Sequence, residues 1–300
     1  MRQSTILLYI LIGLSLLLCL RYLGEKYVMP KIKYEGFQQK DDFIVKTDDD
    51  IYDVFYAGVY DNLHKTKNRV NLELKYIIHM TQPSKTHSNF LDIGSGTGSF
   101  VNELNNYGYR AFGIDKSKDM VDYSQKKYAK IQTDKADAME TMLFEKNTFT
   151  HVICNYFTIY QIKDKMLFFR NCYHWITPGG YLILHLVDPN RFDTIIPAGK
   201  PLNIDSPQKY TNQRILDTYI ELDDFKYKSK FNVDNLSILE TFTDHAKGKI
   251  RQNEQHLHME SKEMILGIAK MVGFILHGQM NYETITGDPY QYLIVLERPM

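Results

Sequence analysis

The sequence predicts an α/β fold built on a mostly parallel sheet, and three features of the chain support this prediction. The stretch 90–100, Phe-Leu-Asp-Ile-Gly-Ser-Gly-Thr-Gly-Ser-Phe, joins an apolar strand to a helix through alternating glycines. Strand-like and helix-like segments then alternate as far as position 188, which is typical of a sheet with helical crossovers. The strand predicted over 181–187 is apolar almost throughout, which indicates burial on both of its faces.

The glycine-rich turn is suited to a close approach between the backbone and a ligand. Gly94, Gly96 and Gly98 have no Cβ, so the chain can bend tightly there and lie against a bound molecule. The helix that follows offers unpaired N–H groups at its start to a polar ligand. In the dinucleotide pattern G-x-G-x-x-G, the third small residue would be Ser99, so the glycine spacing favours a different nucleotide motif.

With Asp92 ahead of the first glycine, the pattern D-x-G-x-G-x-G resembles motif I of the class I S-adenosylmethionine-dependent methyltransferases of the small-molecule type. The next predicted strand, Ala111–Asp115, ends in an acid, as it does in that family. The resemblance covers residues 50–188 and 261–300 and implies a Rossmann-like, seven-stranded, mostly parallel sheet with an antiparallel terminal strand. It also implies methyl transfer from S-adenosylmethionine (SAM) to an N, O or S atom of a small-molecule substrate.

The same resemblance assigns a cofactor site residue by residue. Asp92 and the glycines would surround the methionine end of SAM, and Asp115 would accept hydrogen bonds from both ribose hydroxyls. Asp137 and its neighbour's N–H would contact the adenine edge. Asn155 occupies motif IV without the Pro-Pro of enzymes that methylate bases, which disfavours a base as the acceptor. The expected cofactor-binding residues are Tyr56, Asp92, Gly94, Ser95, Gly96, Gly98, Asp115, Asp137, Ala138 and Asn155.

Candidates for catalysis come from two other segments. Large apolar residues at 52, 55, 56, 59 and 60 fall on one side of a helix, which simple packing would also produce. The segment resembles the Tyr-rich leader helix of many small-molecule methyltransferases, so Tyr56 and Tyr60 are candidate hydroxyl donors. His256 and His258 are further candidates for a general base. A metal site at these histidines would need another ligand, which we cannot place, so no metal is expected.

Between residues 189 and 260 the chain departs from regular α/β alternation. Residues 189–215 are rich in proline and polar residues and predict a long loop. Short strands are then predicted over Phe225–Phe231, Ser237–Phe242 and Lys249–Gln252. We expect them to form a small antiparallel β flap, inserted in the methyltransferase domain and laid over the cofactor site.

The first residues have a different composition from the rest. The run 6–20 is uncharged, lies between Arg2 and Arg21, and approaches the roughly 20 apolar residues that a spanning helix needs. The small residues of a signal-peptide cleavage site are missing. Lys and Arg are more frequent after the run than before it, which places the later residues in the cytosol. The expected domains are an uncleaved transmembrane anchor (1–23), a linker (24–48) and a methyltransferase domain (49–300).

The charge balance and the cysteines of the chain indicate its partners and its compartment. Lys plus Arg and Asp plus Glu both number 36, so the basic face of a nucleic-acid enzyme is not indicated and no nucleic-acid partner is expected. Cys19, Cys154 and Cys172 have no paired or metal-type spacing, which suits a reducing compartment. Two alternatives stay open: a catalytically silent cofactor-binding scaffold at a membrane, and an NAD-dependent oxidoreductase.

Overall fold

The computed structural model describes residues 9–19, 39–200 and 206–300. The chain divides into two compact units, Met1–Tyr34 and Glu35–Met300. All the sites discussed below lie in the second unit.

In the first unit, residues 9–19 form helix α1, whose side chains are exposed. Across the described residues, no helix has both the length and the apolar character needed to cross a membrane. The transmembrane helix expected over 1–23 therefore has no support from the described residues, and the rest of that segment lies outside them.

The second unit is built from twelve strands and eight helices among the described residues, with short 3-10 turns between some of them. The strands are β1 (Phe43–Thr47), β2 (Asn89–Ile93), β3 (Arg110–Asp115), β4 (Thr133–Lys135), β5 (Phe149–Cys154), β6 (Ile176–Val187), β7 (Asp217–Glu221), β8 (Phe225–Asn232), β9 (Ser237–Asp244), β10 (Ile250–His256), β11 (Ile275–Asn281) and β12 (Gln291–Glu297). The helices are α2 (Val54–His64), α3 (Thr66–Thr81), α4 (Ser99–Asn106), α5 (Lys118–Lys127), α6 (Thr158–Gln161), α7 (Lys165–Trp175), α8 (Lys262–Val272) and α9 (Glu283–Thr286).

Seven strands form the central sheet, in the spatial order β11-β12-β6-β5-β2-β3-β4. The five strands from β6 to β4 are parallel, whereas β12 runs antiparallel to both of its neighbours. The predicted mostly parallel seven-stranded sheet with an antiparallel last strand is confirmed. Because β2, β3 and β5 are parallel, their carboxyl ends meet at one edge of the sheet.

The central sheet is covered on both faces, as its apolar strands predict. Successive residues of one strand contribute to different core clusters: Val152 and Leu182 belong to one, and Ile153 and Ile183 to the other. This division follows from the alternation of side chains along a strand. Trp175 of α7 is fully buried in the first cluster.

The second sheet has five strands in the order β1-β10-β9-β8-β7; we call it the flap. The three predicted flap strands correspond to β8, β9 and β10, which pair antiparallel. In β8 every second residue is buried, so this sheet has one covered and one exposed face. The sequence analysis missed β7 and also β1, which lies in the expected linker and pairs with β10 in parallel. Strands of five residues beside charged and polar segments show too little periodicity to be recognised.

Arg251 connects the flap to the start of α2. Its side chain is almost completely buried and donates to both carboxylate oxygens of Asp53, at 3.0 and 2.7 Å, and to the carbonyl of Ile51 at 3.0 Å. Asp53 in turn caps α2, because its Oδ1 accepts from the N–H of Tyr56. One ion pair therefore fixes both the flap and the helix.

We expect Arg251→Ala to lower the free energy of unfolding by about 2–4 kcal/mol, because it leaves the Asp53 carboxylate without its buried cation and the buried Asn253 Oδ1 without its donor. Urea unfolding followed by circular dichroism measures the change. Lys228→Ala is the matched control, since Lys228 is an exposed residue of β8. A loss of less than about 1 kcal/mol for Arg251→Ala would show that the flap is held by other contacts.

Candidate functional site

The carboxyl ends of the parallel strands border a cavity of about 450 Å³, which we call the larger cavity. Its position is where open parallel sheets bind their ligands, and its size is within the usual range of ligand pockets. The residues that line it are Asp49, Tyr52, Tyr60, Ile93, Gly94, Gly96, Ile114, Asp115, Lys116, Ser117, Met120, Ala136, Asp137, Ala138, Met139, Tyr156, Thr158, Gln161, Ile162, Lys163 and Asp164.

The glycine-rich turn forms one side of the larger cavity. Gly94, Gly96 and Gly98 all have positive φ, at 69°, 51° and 76°, where glycine is strongly preferred. A Cβ on Gly94 would come within 2.6 Å of the Thr158 side chain, whereas the nearest atom to one on Gly96 would be a carbonyl oxygen at 4.0 Å. Gly96 therefore faces open space, and its bare backbone leaves room for a ligand.

Asp115 ends β3 directly opposite this turn. Its Oδ2 accepts from the N–H of Gly96 at 2.8 Å, and its Oδ1 accepts from the N–H of Ser117 at 2.9 Å. Burial raises the pKa of the Asp115 carboxyl, although these two hydrogen bonds act to lower it. Each oxygen keeps a further lone pair, so the carboxylate can accept two hydroxyl groups from a ligand in the larger cavity.

Asp137 and Ala138 lie on another side of the larger cavity. Asp137 Oδ1 accepts from the N–H of Met139 at 2.9 Å, and Lys116 Nζ lies 3.3 Å from its Oδ2. Lys116 is also 3.3 Å from Asp49. The loop after β4 is thereby held against the loop after β3, with an acid and backbone groups facing the same space.

Asp92, Ser95, Gly98 and Asn155, all expected to bind the cofactor, do not line the larger cavity. Asp92 is almost completely buried, and this burial, with the nearby carboxylates of Glu73 and Asp115, raises its pKa to about 8. Ser95 and Gly98 pack against the elements next to the turn. The structure therefore places these four residues behind the lining.

The side chain of Asn155 points away from the larger cavity. Its Nδ2 donates to Glu73 Oε2 at 3.2 Å. Glu73 also accepts from Arg69 Nη1 at 3.0 Å and from the Tyr282 hydroxyl at 2.7 Å. Its Nδ2 is thus used by this buried ion pair of α3, whereas its buried Oδ1 has no hydrogen-bond partner among the described residues. A cofactor contact by Asn155 stays a prediction.

A second cavity of about 110 Å³, the smaller cavity, adjoins the first. Four residues line both cavities, and we call them the shared wall: Tyr52, Tyr60, Tyr156 and Gln161. The other residues of the smaller cavity are Tyr56, His64, Phe157, Phe192, Asp193, Thr194, Ile195, Ile196, Pro197, Lys200, Tyr227, Ser229, Phe231, Ile238, Glu240, Gln255, Thr286 and Gln291. Tyr60 thus lies between the cavities, and Tyr56, expected at the cofactor, faces the smaller one.

Tyr52 is held in the shared wall by two amides. The side-chain amides of Gln161 and Gln255 donate to its hydroxyl oxygen at 2.8 and 2.7 Å. Burial raises the pKa of Tyr52, so the phenol keeps its proton at neutral pH. With its oxygen accepting from both amides, the hydroxyl hydrogen is available to a ligand.

Tyr156 has an unusual backbone conformation. Both Tyr156 and Phe157 have positive φ, at 50° and 68°, and such strained residues are concentrated at functional sites. The Tyr156 hydroxyl lies 2.9 Å from Nδ1 of His64, and the Arg69 guanidinium lies 3.6 Å from the centre of its ring. Burial and Arg69 lower the pKa of His64 to about 3, so this imidazole is neutral at physiological pH.

The histidines singled out from the sequence lie elsewhere. His256 is exposed at the end of β10, where its N–H and its imidazole contact Asp48. The backbone of His258 bonds to Tyr160 and Lys165. Neither residue lines either cavity, so their role as a general base is not supported. In the described part of the chain, no group of three or more His, Cys, Asp or Glu is placed to hold a metal ion.

The smaller cavity also contains residues that the sequence analysis missed. Glu240 of β9 and His64 of α2 are more than 170 positions apart, and single-sequence spacing cannot show that they meet. The available signal was the pattern of β9. Glu240 lies two positions before Phe242, so both side chains are on the covered face of the flap. A charged residue at such a position has to find polar partners.

Residues 91–184 match a family model described as a methyltransferase domain. A search of curated proteins found no match. Among solved structures, a SAM-dependent methyltransferase from Clostridium acetobutylicum shares 15% identity, with a TM-score of 0.61 over 82% of this chain and 98% of that one.

Two further solved structures have similar coverage. A SAM-bound amino pentose methyltransferase from Micromonospora echinaspora is 16% identical, with a TM-score of 0.58 over 81% of this chain and 96% of that one. A sugar N-methyltransferase from Streptoalloteichus is 18% identical, with a TM-score of 0.57 over 81% and 93%. These likenesses confirm the Rossmann-like methyltransferase fold, and the match over residues 91–184 agrees with the predicted SAM-dependent methyltransferase.

His185 supports the strained turn of the shared wall. Its Nδ1 accepts from the N–H of Phe157 at 3.3 Å, and its Nε2 lies 2.9 Å from Gln291 Oε1. These partners require a neutral imidazole with its hydrogen on Nε2. Burial, with a contribution from Arg69, lowers the pKa of His185 to about 3.

Between pH 6.5 and 3 the unfolded chain binds a proton at this position and the folded chain does not, so stability falls as the pH falls. We expect the wild type to lose about 2 kcal/mol more than His185→Asn between pH 7 and 5. Urea unfolding at the two pH values gives the difference, and exposed His79, changed to Asn, serves as the control. An equal loss in wild type and His185→Asn would contradict this assignment.

Proposed function

We propose that this chain is an enzyme that binds SAM in the larger cavity and transfers its methyl group to a small-molecule acceptor in the smaller cavity. The observation that carries the proposal is the shared wall. Four residues line both cavities, so two ligands placed there would be adjacent, as a direct displacement requires. The methyl group would pass between Tyr52, Tyr60 and Tyr156.

The residues of the larger cavity suit SAM. The open backbone at Gly96 leaves room for the methionine part, and the free lone pairs of Asp115 match two ribose hydroxyls. Asp137 and Ala138 lie where the adenine would extend. When bound, SAM supplies a methyl group on a positively charged sulfur.

The chain's own contribution to the reaction is mainly alignment. Holding two reactants in line can lower the barrier by about 7–11 kcal/mol in favourable cases. Tyr52 and Tyr156 are fixed by hydrogen bonds to neighbouring side chains, so they provide rigid surfaces on both sides of the transfer path. The nucleophile is an N, O or S atom of the acceptor, and any proton it releases would pass to a group of the smaller cavity or to water.

Asp115→Ala tests the cofactor assignment. The change removes the acceptor of the two ribose hydroxyls, each bond to a charged group being worth about 1.5–3 kcal/mol. We therefore expect binding of S-adenosylhomocysteine to weaken at least about tenfold, measured by isothermal titration calorimetry.

Asp115→Asn, which keeps one oxygen for the N–H of Gly96 or Ser117, shows whether loss of the turn itself causes the effect. Asp122→Ala is the matched control, because Asp122 is an exposed acid of α5 that pairs only with Lys118 in the described contacts. Wild-type affinity in a folded Asp115→Ala protein would refute the ribose assignment.

Attachment to a membrane is a separate part of the proposal, and it rests on the sequence alone. If residues 1–23 anchor the chain, alkaline carbonate should leave the full-length protein in the membrane pellet, and deletion of these residues should release it. Immunoblots of pellet and supernatant give the answer. Release of the full-length protein by carbonate would show that the anchor prediction is wrong, without affecting the methyltransferase proposal.

A further inference from the structure

We propose that the acceptor in the smaller cavity carries a protonated amino group and that the carboxylate of Glu240 is its counter-ion. This inference rests on the proposed function, since it concerns the ligand that receives the methyl group. It adds a substrate class, small-molecule amines, and a specificity-determining residue in the flap.

Glu240 is a buried carboxylate held by neutral donors. Only 6% of the residue is exposed. Its Oε1 accepts from the hydroxyls of Tyr56 at 3.1 Å and Tyr227 at 2.7 Å, and its Oε2 accepts from Asn253 Nδ2 at 3.2 Å. These three bonds orient the carboxylate without neutralising its charge. Oε2 keeps a lone pair, and Glu240 lines the smaller cavity.

The cations nearest to Glu240 are already used. Burial raises the pKa of Glu240, while its three hydrogen bonds and the nearby Arg251 act to lower it. The Arg251 guanidinium itself donates to both oxygens of Asp53. On the other side of the smaller cavity, Lys200 Nζ lies 2.8 Å from Asp193 Oδ2 and donates to a backbone carbonyl. Neither side chain forms an ion pair with Glu240 within the described residues.

Apart from the ion pair of Asp193 and Lys200, the remaining ionisable groups of the smaller cavity are neutral at pH 7. His64 is unprotonated because burial and Arg69 lower its pKa to about 3. The tyrosines keep their protons, because burial raises the pKa of each of them: Tyr52, Tyr56, Tyr60, Tyr156 and Tyr227. Asp193 and Lys200 form an ion pair and compensate each other, so Glu240 is the acid of this lining that has no cation paired with it among the described residues.

The tyrosine rings around this charge favour the same ligand. The faces of aromatic rings attract cations, by about 0.5–2 kcal/mol each in desolvated sites. A buried carboxylate among aromatic rings therefore suits an ammonium group, which can donate to Oε2 and contact the rings. A neutral or anionic acceptor would leave the Glu240 charge without a partner, which is unfavourable in a water-poor site.

The test compares an amine with its uncharged counterpart. Calorimetry is carried out on the full chain saturated with S-adenosylhomocysteine, with two probe pairs: 2-phenylethylamine against 2-phenylethanol, and glucosamine against glucose. In the wild type we expect the amine of at least one pair to bind at least tenfold more tightly than the alcohol or sugar. In Glu240→Gln, which keeps the shape but not the charge, this preference should disappear.

Glu221→Gln is the matched control, since Glu221 is an exposed acid of the same sheet, and it should keep the wild-type preference. If wild type binds S-adenosylhomocysteine but no amine better than its counterpart, the inference is overturned and the proposed function stands. The same holds if Glu240→Gln keeps the preference. Failure of the wild type to bind S-adenosylhomocysteine would instead refute the proposed function. The wild-type comparison needs no variant, so a poorly folded Glu240→Gln leaves the inference testable.

Discussion

The hydrogen bond from the N–H of Gly96 to the carboxylate of Asp115 is the contact on which the rest of the site depends. It joins the turn after β2 to the end of β3, so the open backbone and the acid face one space. The turn and β3 approach each other closely: a Cβ on Gly113 of β3 would lie only 2.8 Å from the Cβ of Ser95 in the turn. The parallel order of the strands brings the loops after β4 and β5 to the same edge, and the larger cavity follows from that.

Behind this edge, the ion pair of Arg69 and Glu73 fixes the wall between the two cavities. Glu73 is fully buried and accepts from Arg69, Tyr282 and Asn155, so its charge is compensated. Arg69 also covers the ring of Tyr156 and lowers the pKa of His64. One buried pair thus lies against an aromatic ring of the shared wall and adds to the effect of burial, which is the main reason that the neighbouring imidazole is neutral.

The sequence was most informative where a function depends on local backbone chemistry. The glycine turn and Asp115 could be predicted because the motif lies within 24 positions and needs specific residue types. The smaller cavity could not, because α2, the loop after β6 and the flap meet there through tertiary packing. His256 and His258 looked suitable in a strand pattern, but β10 ends at His256 on the surface and neither residue lines a cavity. The contact of Asn155 with Glu73 could not be predicted either, because Glu73 lies on a helix 82 positions away.

We propose that the larger cavity is a SAM site and not a dinucleotide site. The most direct measurement is a calorimetric titration of the full chain with S-adenosylhomocysteine and, separately, with NAD. The structure predicts saturable binding of one S-adenosylhomocysteine per chain and no measurable binding of NAD, since the turn has the D-x-G-x-G-x-G spacing and Gly96 faces open space. Binding of NAD in preference to S-adenosylhomocysteine, or binding of neither, would contradict it.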